Sequence, residues 1–95
     1  MGLYTIVMDF EGGAYIAQVT AKNESAAIRE WATTLDTAVI PRIGKKIKAR
    51  MQQLLSEDEV DNPVAIHGCI QVWCDTLSVS GRFMLLTIIK TAQDA

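Results

Sequence analysis

Hydrophobic and polar residues alternate over the first twenty positions, as they do in half-buried β-strands. In residues 3–10 the alternation places four large apolar side chains on one face: Tyr4, Ile6, Met8 and Phe10. Residues 14–20 repeat the pattern with Tyr15, Ala17 and Val19. Each segment is therefore predicted to be a strand with one face directed toward a core.

The glycine pair between these strands, Gly12 and Gly13, is compatible with a phosphate-binding loop or with a tight turn. A phosphate-binding loop leads into the N-terminus of a helix, whose amide groups point at the anion. Here the glycines join two strands, and both central residues of a tight hairpin turn take the positive φ that glycine tolerates. We therefore predict a hairpin turn at these glycines, in the register that pairs Phe10 with Tyr15.

Two segments with helical spacing of apolar residues follow the hairpin. The first helix is predicted to start at a cap on Asn23 or Ser25. It ends before Pro41, because proline disfavours helical geometry in the preceding residue. Its apolar stripe comprises Ile28, Trp31, Ala32, Leu35 and Val39. The second helix is predicted from about residue 43 to residue 55, with a stripe of Ile43, Ile47, Met51, Leu54 and Leu55.

Two further strands are predicted near the C-terminus, over residues 66–74 and 82–90, with residues 75–81 as the loop between them. The last strand is apolar on both sides. Met84, Leu86 and Ile88 lie on one side, and Phe83, Leu85 and Ile89 lie on the other. A strand of this kind is normally covered on both faces of its sheet.

These elements predict a single α+β domain over residues 1–95, in the order β-β-α-α-β-β. We expect a four-stranded antiparallel sheet with both helices on one face. Its other face would then carry a contiguous apolar patch of a kind that monomers rarely expose. The sequence therefore predicts a homodimer that covers this face. The candidate interface residues are Val7, Ile16 and whichever of Leu85 and Leu86 lies on that face.

The composition supports the prediction of an assembly. The chain has 95 residues, of which 49% are hydrophobic, and a domain of this size buries only about 60–65% of the surface that its unfolded chain exposes.

The net charge of −2 argues against attraction to nucleic acid or to an anionic membrane through overall charge. The longest nearly continuous apolar run, FMLLTII, is much shorter than the roughly 20 residues of a membrane-spanning helix. No charged leader precedes the first apolar residues, so we expect a cytoplasmic protein.

Basic side chains cluster around the start of the second predicted helix: Arg42, Lys45, Lys46, Lys48 and Arg50. Acidic residues follow the end of that helix, between positions 57 and 61. This is the reverse of the arrangement that the helix dipole favours, at about 0.3–1 kcal/mol for each badly placed charge. The favoured interpretation is a solvated face whose ends pair with other parts of the protein. The alternative makes these five residues a binding site for an acidic or anionic partner.

One histidine and two cysteines form the pattern H-x-C-x4-C, with His67, Cys69 and Cys74. On a strand, His67 and Cys69 would share a face and Cys74 would point away. A structural zinc site usually has four ligands, so we interpret these residues as packing residues and expect no metal or cofactor. No third group is placed to orient a cysteine–histidine pair, and no catalytic residue is assigned.

The run YTIVMDFEGGAYIAQV, followed by ESAAIREWA, resembles the start of HicB-like antitoxin domains. Those domains begin with a tyrosine-led strand, a glycine-containing hairpin that ends in an aromatic residue, and a helix with Glu/Ala spacing. The likeness covers about the first third of the chain. The proline- and glycine-containing approach to the helix and a DNA-binding C-terminal module are absent from this sequence. The resemblance implies a non-catalytic, dimerising domain that binds a protein partner, and it assigns no site residues.

The sequence favours a non-enzymatic, homo-oligomeric binding or regulatory module, because it combines an apolar excess with no reactive constellation. Its expected partners are a second copy of the chain and a protein. Two alternatives stay open. One is a small enzyme with a pocket at an oligomer interface, and the other is nucleic-acid binding through residues 42–50.

Overall fold

Five strands and two helices make up the described part of this computed structural model, which comprises residues 1–36, 40, 43–56 and 63–92. In chain order these elements are β1 (Gly2–Phe10), β2 (Gly13–Ala21), α1 (Glu24–Thr34), α2 (Lys45–Ser56), β3 (Val64–Ala65), β4 (Val72–Val79) and β5 (Arg82–Ala92). The architecture is α+β, as the hydrophobic pattern predicts.

The five strands form one antiparallel sheet in the order β2-β1-β5-β4-β3. The prediction of four strands is wrong by one. The additional strand, β3, is two residues long, and two residues are too few to show an alternating pattern. The C-terminal strand β5 lies at the centre, between β1 and β4, so the two ends of the chain are joined through the sheet.

The β1–β2 hairpin forms, but in a different register from the predicted one. Its turn residues are Glu11 and Gly12, with φ of 49° and 83°, and Phe10 pairs with Gly13 rather than with Tyr15. The difference shifts the partner of each β1 residue by two positions. A shift of two keeps every side chain on the same face, so the alternation of apolar residues cannot distinguish the two registers.

Two contacts explain the observed register. A Cβ atom at Gly13 would lie 2.8 Å from the Tyr15 hydroxyl oxygen, so the tyrosine side chain occupies the space that a residue other than glycine would fill. Glu11, which the turn exposes, forms an ion pair with Arg82. Gly13 is therefore needed because the Tyr15 side chain occupies the space that a Cβ atom would fill. Gly12 is needed because its position in the turn has a positive φ.

A second two-residue turn joins β4 and β5. Ser80 and Gly81 have φ of 53° and 75°, and Val79 pairs with Arg82. The predicted strand over residues 66–74 and the predicted loop over residues 75–81 are therefore largely wrong, because β4 begins only at Val72 and continues to Val79. The polar residues between 75 and 80 alternate with buried Leu77 and Val79, and this alternation is that of a strand.

Helix α1 starts where the sequence predicts and ends earlier. The Ala26 amide donates to Asn23 Oδ1 at 2.8 Å, which is a standard N-cap. The helix ends at Thr34, whose hydroxyl donates to the Glu30 carbonyl at 3.0 Å, and Leu35 has an extended ψ of 124°. The prediction that the helix continues to the residue before Pro41 is therefore wrong. Residues 37–39 and 41–42, which include Val39 and Pro41, lie outside the described residues.

The two helices run antiparallel and cap each other's C-terminal carbonyl groups. Lys48 Nζ donates to the Leu35 carbonyl just after α1 at 2.7 Å, and Arg29 Nε donates to the Leu55 carbonyl near the end of α2 at 2.9 Å. Carbonyl groups in the last turn of a helix have no partner within that helix. Side chains of the neighbouring helix supply those partners here.

Both helices pack on the same face of the sheet, as predicted, and the core lies between the two layers. The buried side chains of the sheet include Tyr4, Ile6, Met8, Phe10, Leu77, Val79, Met84, Leu86 and Ile88. Those of the helices are Ala27, Ile28, Trp31, Ala32, Met51 and Leu55. Helix α1 packs chiefly on β2.

Candidate functional site

The sheet face that points away from the helices is uncovered within the described residues, and we call it the outer face. It is formed by alternate residues of the four long strands: Leu3, Thr5, Val7 and Asp9; Ala14, Ile16, Gln18 and Thr20; Val72, Cys74, Thr76 and Ser78; and Phe83, Leu85, Thr87 and Ile89. None of these side chains is buried, whereas the sheet side chains beneath the helices largely are.

Large apolar side chains on the outer face are exposed to solvent. Ile16 is 68% exposed, Phe83 is 62% exposed, and Leu85 is 37% exposed. The strand pairing places Ile16 beside Val7, and it continues that row through Thr87 and Cys74. Apolar side chains of this row thus lie on β2 and β1, and the polar side chain of Thr87 lies between Val7 and Cys74.

Polar groups lie toward one end of the outer face and bond to one another. Gln18 Nε2 donates to Thr5 Oγ1 at 3.0 Å, and Thr5 Oγ1 is also within hydrogen-bond distance of Thr91 Oγ1. Asp9 lies toward the other end, at the position opposite Leu85. Apolar side chains on the outer face therefore lie among polar ones, and a protein–protein interface taken as a whole is likewise a mixture of apolar and polar surface.

The structure distinguishes the two alternatives that the sequence leaves open on β5, Leu85 and Leu86. Val7, Ile16 and Leu85 lie on the outer face. Leu86 is 0% exposed and packs in the core beneath the helices. The candidate surface therefore retains the first three residues and excludes Leu86.

The candidate partner-binding residues lie on and before α2. Lys45, Lys46 and Arg50 are exposed, and Arg42 lies outside the described residues. Lys48 is half-buried, and its ammonium group donates to the Leu35 carbonyl. This lysine has a structural partner, in agreement with the interpretation that the basic end of the helix pairs with another part of the chain. The acidic residues at 57–59 and 61 are not among the described residues.

The expectation that His67, Cys69 and Cys74 lie on one strand is wrong. His67 and Cys69 are exposed in the loop between β3 and β4, in which Gly68 and Gln71 have φ of 85° and 60°. Cys74 lies on β4 and contributes to the outer face. Among residues 1–36, 40, 43–56 and 63–92, no group of three or more His, Cys, Asp or Glu side chains is placed to hold a metal ion.

A groove that sequence reasoning misses lies along β2. It has a volume of about 400 Å³ and is bounded by β2 residues 14–17 on one side. Trp31 and Leu35 of the α1 region and Ile40 line the other side. Another shallow groove, of about 380 Å³, lies between the two helices and includes Arg29 and Gln52 in its lining. The groove along β2 could not be predicted, because its position depends on the strand order.

Among the described residues, Tyr4 and Arg82 have perturbed pKa values, and both lie outside these grooves. Burial, with a smaller contribution from the negative charge of Glu24, raises the pKa of Tyr4. The Tyr4 ring packs at a tilted angle against Trp73, with 6.3 Å between the ring centroids. The hydrogen bond to Glu11 raises the pKa of Arg82. Both perturbations have structural causes and do not identify a catalytic group.

No known family of proteins matches this chain, and neither a curated protein nor a solved structure shows significant similarity to it. In the part of the chain that the structure describes, no helix has the length and hydrophobicity needed to cross a membrane.

Proposed function

We propose that this protein is a non-enzymatic binding module that acts as a homodimer, and that the outer face is its dimer interface. The observation that carries the proposal is the exposure of Ile16, Phe83 and Leu85 on a sheet face that the described helices leave uncovered. Contiguous exposed apolar surface on a small soluble domain usually marks a site of association.

The dimensions of the outer face suit a dimer. Four long strands at a spacing of about 4.8 Å and a length of about 30 Å give a flat area of roughly 600 Å², before the relief of the side chains is counted. A stable interface of standard size buries about 800 Å² on each partner. The flat area of the outer face is therefore about three quarters of the area that each partner of a standard dimer buries, and two such faces would pack about 10 Å apart.

Partner binding is the second part of the proposal. The resemblance of the first third of the chain to HicB-like antitoxin domains supports a dimer that binds a protein. Nucleic-acid binding through the basic residues of α2 is less well supported, since the chain has a net charge of −2 and Lys48 bonds to the Leu35 carbonyl.

The two cysteines provide an internal test of the interface. Cys74 lies on the outer face and is half-exposed, whereas Cys69 is exposed in the β3–β4 loop. We would measure the rate at which a maleimide labels each thiol in the C69S and C74S variants, over protein concentrations from nanomolar to high micromolar. The proposal predicts that Cys74 labelling slows as concentration rises, while Cys69 labelling does not change. Equal concentration dependence at the two thiols, or none at Cys74, would contradict it.

A further inference from the structure

Strand β2 forms one edge of the sheet, and its own nine residues lack the charges, prolines and bulges that often protect an edge from pairing. Its nine residues pair with β1 without a bulge, and the sequence GAYIAQVTA contains no charged residue and no proline. Natural edge strands are commonly protected by charged residues, prolines, bulges or shortness. The opposite edge, β3, is two residues long.

The two-residue turn determines which backbone groups of β2 face outward. Residues that flank such a turn form a hydrogen-bonded pair, and the bonding direction alternates along the strand. Gly13 pairs with Phe10, so every second residue from Gly13 bonds to β1. The amide and carbonyl groups of the intervening residues, Ala14, Ile16, Gln18 and Thr20, therefore point away from the sheet. Within the described ranges no strand pairs with them.

The groove beside this edge is lined mainly by apolar residues and also by Thr34 and Asp36. Trp31, Leu35 and Ile40 are nearly fully buried and form its inner wall, opposite β2 residues 14–17. Its volume of about 400 Å³ falls within the roughly 300–1,000 Å³ that binding pockets usually have. A row of outward backbone groups thus lies next to a space that accommodates apolar side chains.

We propose that the edge of β2 binds an extended polypeptide segment of a protein partner, which adds a strand to the sheet. Backbone groups of the segment would bond to Ile16 and Gln18, and its side chains on the helix side would enter the groove against Trp31 and Leu35. An extended polypeptide is the ligand whose backbone donors and acceptors repeat at the spacing of a strand edge. This site goes beyond the proposed dimer and does not depend on it.

A second copy of the domain does not fit this edge. Helix α1 packs chiefly on β2, and pairing of two β2 strands would place them about 4.8 Å apart. This pairing would bring the two α1 helices close together, whereas packed helices need about 8–10 Å between their axes. A lone extended segment carries no helix and avoids this collision.

The test uses random linear dodecapeptides displayed on phage, selected against the wild-type protein. Selected peptides would be synthesised and titrated into wild type, Q18P and Q18T. The Q18P variant removes one outward amide that does not bond to β1, whereas Q18T changes the side chain and retains that amide. We expect Q18P to weaken binding by about tenfold or more, because the peptide carbonyl that this amide would bond is left without its donor. We expect Q18T to leave the affinity unchanged.

Two further measurements keep the proposal falsifiable if Q18P fails to fold. Bound peptide should slow hydrogen exchange at the amides of Ile16 and Gln18 in wild type, while the Ala17 amide is protected with or without peptide. The L85K variant should bind the same peptides, so that loss of the dimer and loss of this site are separate results. Failure to enrich any peptide would overturn the proposal, and so would unchanged exchange at these amides on binding.

Discussion

Arg82 at the start of β5 donates two hydrogen bonds to Glu11 in the β1–β2 turn, with Nε–Oε1 at 2.6 Å and Nη2–Oε2 at 2.7 Å. The same guanidinium lies over the Phe10 ring, with its central carbon 4.9 Å from the ring centroid. This contact joins one hairpin to the other at the end of the sheet. It also explains why Glu11 occupies a turn position, although Gly12 and Gly13 together could have formed the turn.

The bidentate geometry predicts that lysine cannot replace Arg82 without loss. A lysine retains the positive charge but loses the paired N–H groups and the planar contact with Phe10. We expect R82K to lower the thermal midpoint, and we expect a much smaller loss from R82K in the E11Q background. Thermal unfolding of the four proteins of this double-mutant cycle measures the coupling. Additive effects of the two substitutions would contradict the structural role of the pair.

The two glycines of the hairpin should respond differently to alanine. Gly12 has a φ of 83° with open space around it, so G12A should destabilise the protein by about 1 kcal/mol through backbone strain alone. At Gly13 an added Cβ would meet the Tyr15 side chain. We therefore expect the cost of G13A to be relieved in a Y15S background, and the cost of G12A to be unchanged there. Urea unfolding measures both, and relief of G12A rather than G13A would contradict the observed register.

The bond from Lys48 to the Leu35 carbonyl predicts that replacing Lys48 and replacing Lys46 have different effects on the free energy of unfolding. Replacing Lys48 by methionine should cost about 1 kcal/mol, because the carbonyl loses a charged donor. Lys46 is exposed on the same helix, and K46M is the matched control with little expected effect. Equal changes in the free energy of unfolding for K48M and K46M would show that the inter-helix cap contributes nothing.

Burial of Tyr4 predicts a loss of stability at alkaline pH. Its pKa in the folded protein is raised above the ordinary value of 10.0, so the unfolded chain releases this proton first. The contribution of Tyr4 is therefore complete below pH 10.0 and is lost as pH rises through the raised pKa. Unfolding free energies at about pH 8 and about pH 11, compared with those of Y4F, isolate this residue from other groups that titrate. The same alkaline loss in wild type and in Y4F would contradict the prediction.

Side-chain alternation predicts the faces of the strands well, and it predicts less about register and order. Tyr4, Ile6, Met8 and Phe10 all lie in the core as their spacing indicates, because a face depends only on odd or even position. The register of Phe10 depends on the turn at Glu11 and Gly12, where Glu11 bonds to Arg82 of β5, and that ion pair is a tertiary contact.

Other features depend on contacts that no local pattern encodes. Helix α1 stops at Thr34, where the next carbonyl bonds to a lysine of the other helix, and Pro41 is not needed to end it. The outer face was predictable from β5, which is apolar on both sides. The groove along β2 was not predictable from the sequence. It requires that β2, rather than β4, is the edge strand next to α1, and side-chain alternation does not determine the order of the strands.

Substitutions on the two sides of β5 separate assembly from folding. Leu85 lies on the outer face and Leu86 lies in the core, one residue apart. We expect L85K to yield a monomer that retains its helical circular dichroism, and L86K to unfold the domain. Ile70 is 88% exposed in the β3–β4 loop and supplies the control, since I70K should change neither mass nor fold. A dimeric L85K would exclude the outer face as the interface.

Sedimentation equilibrium of the wild-type chain at micromolar concentration tests the central claim most directly. The account predicts a mass twice that of the 10.4 kDa chain, because the exposed apolar residues of the outer face are covered by a second copy. A mass of one chain at that concentration would contradict it.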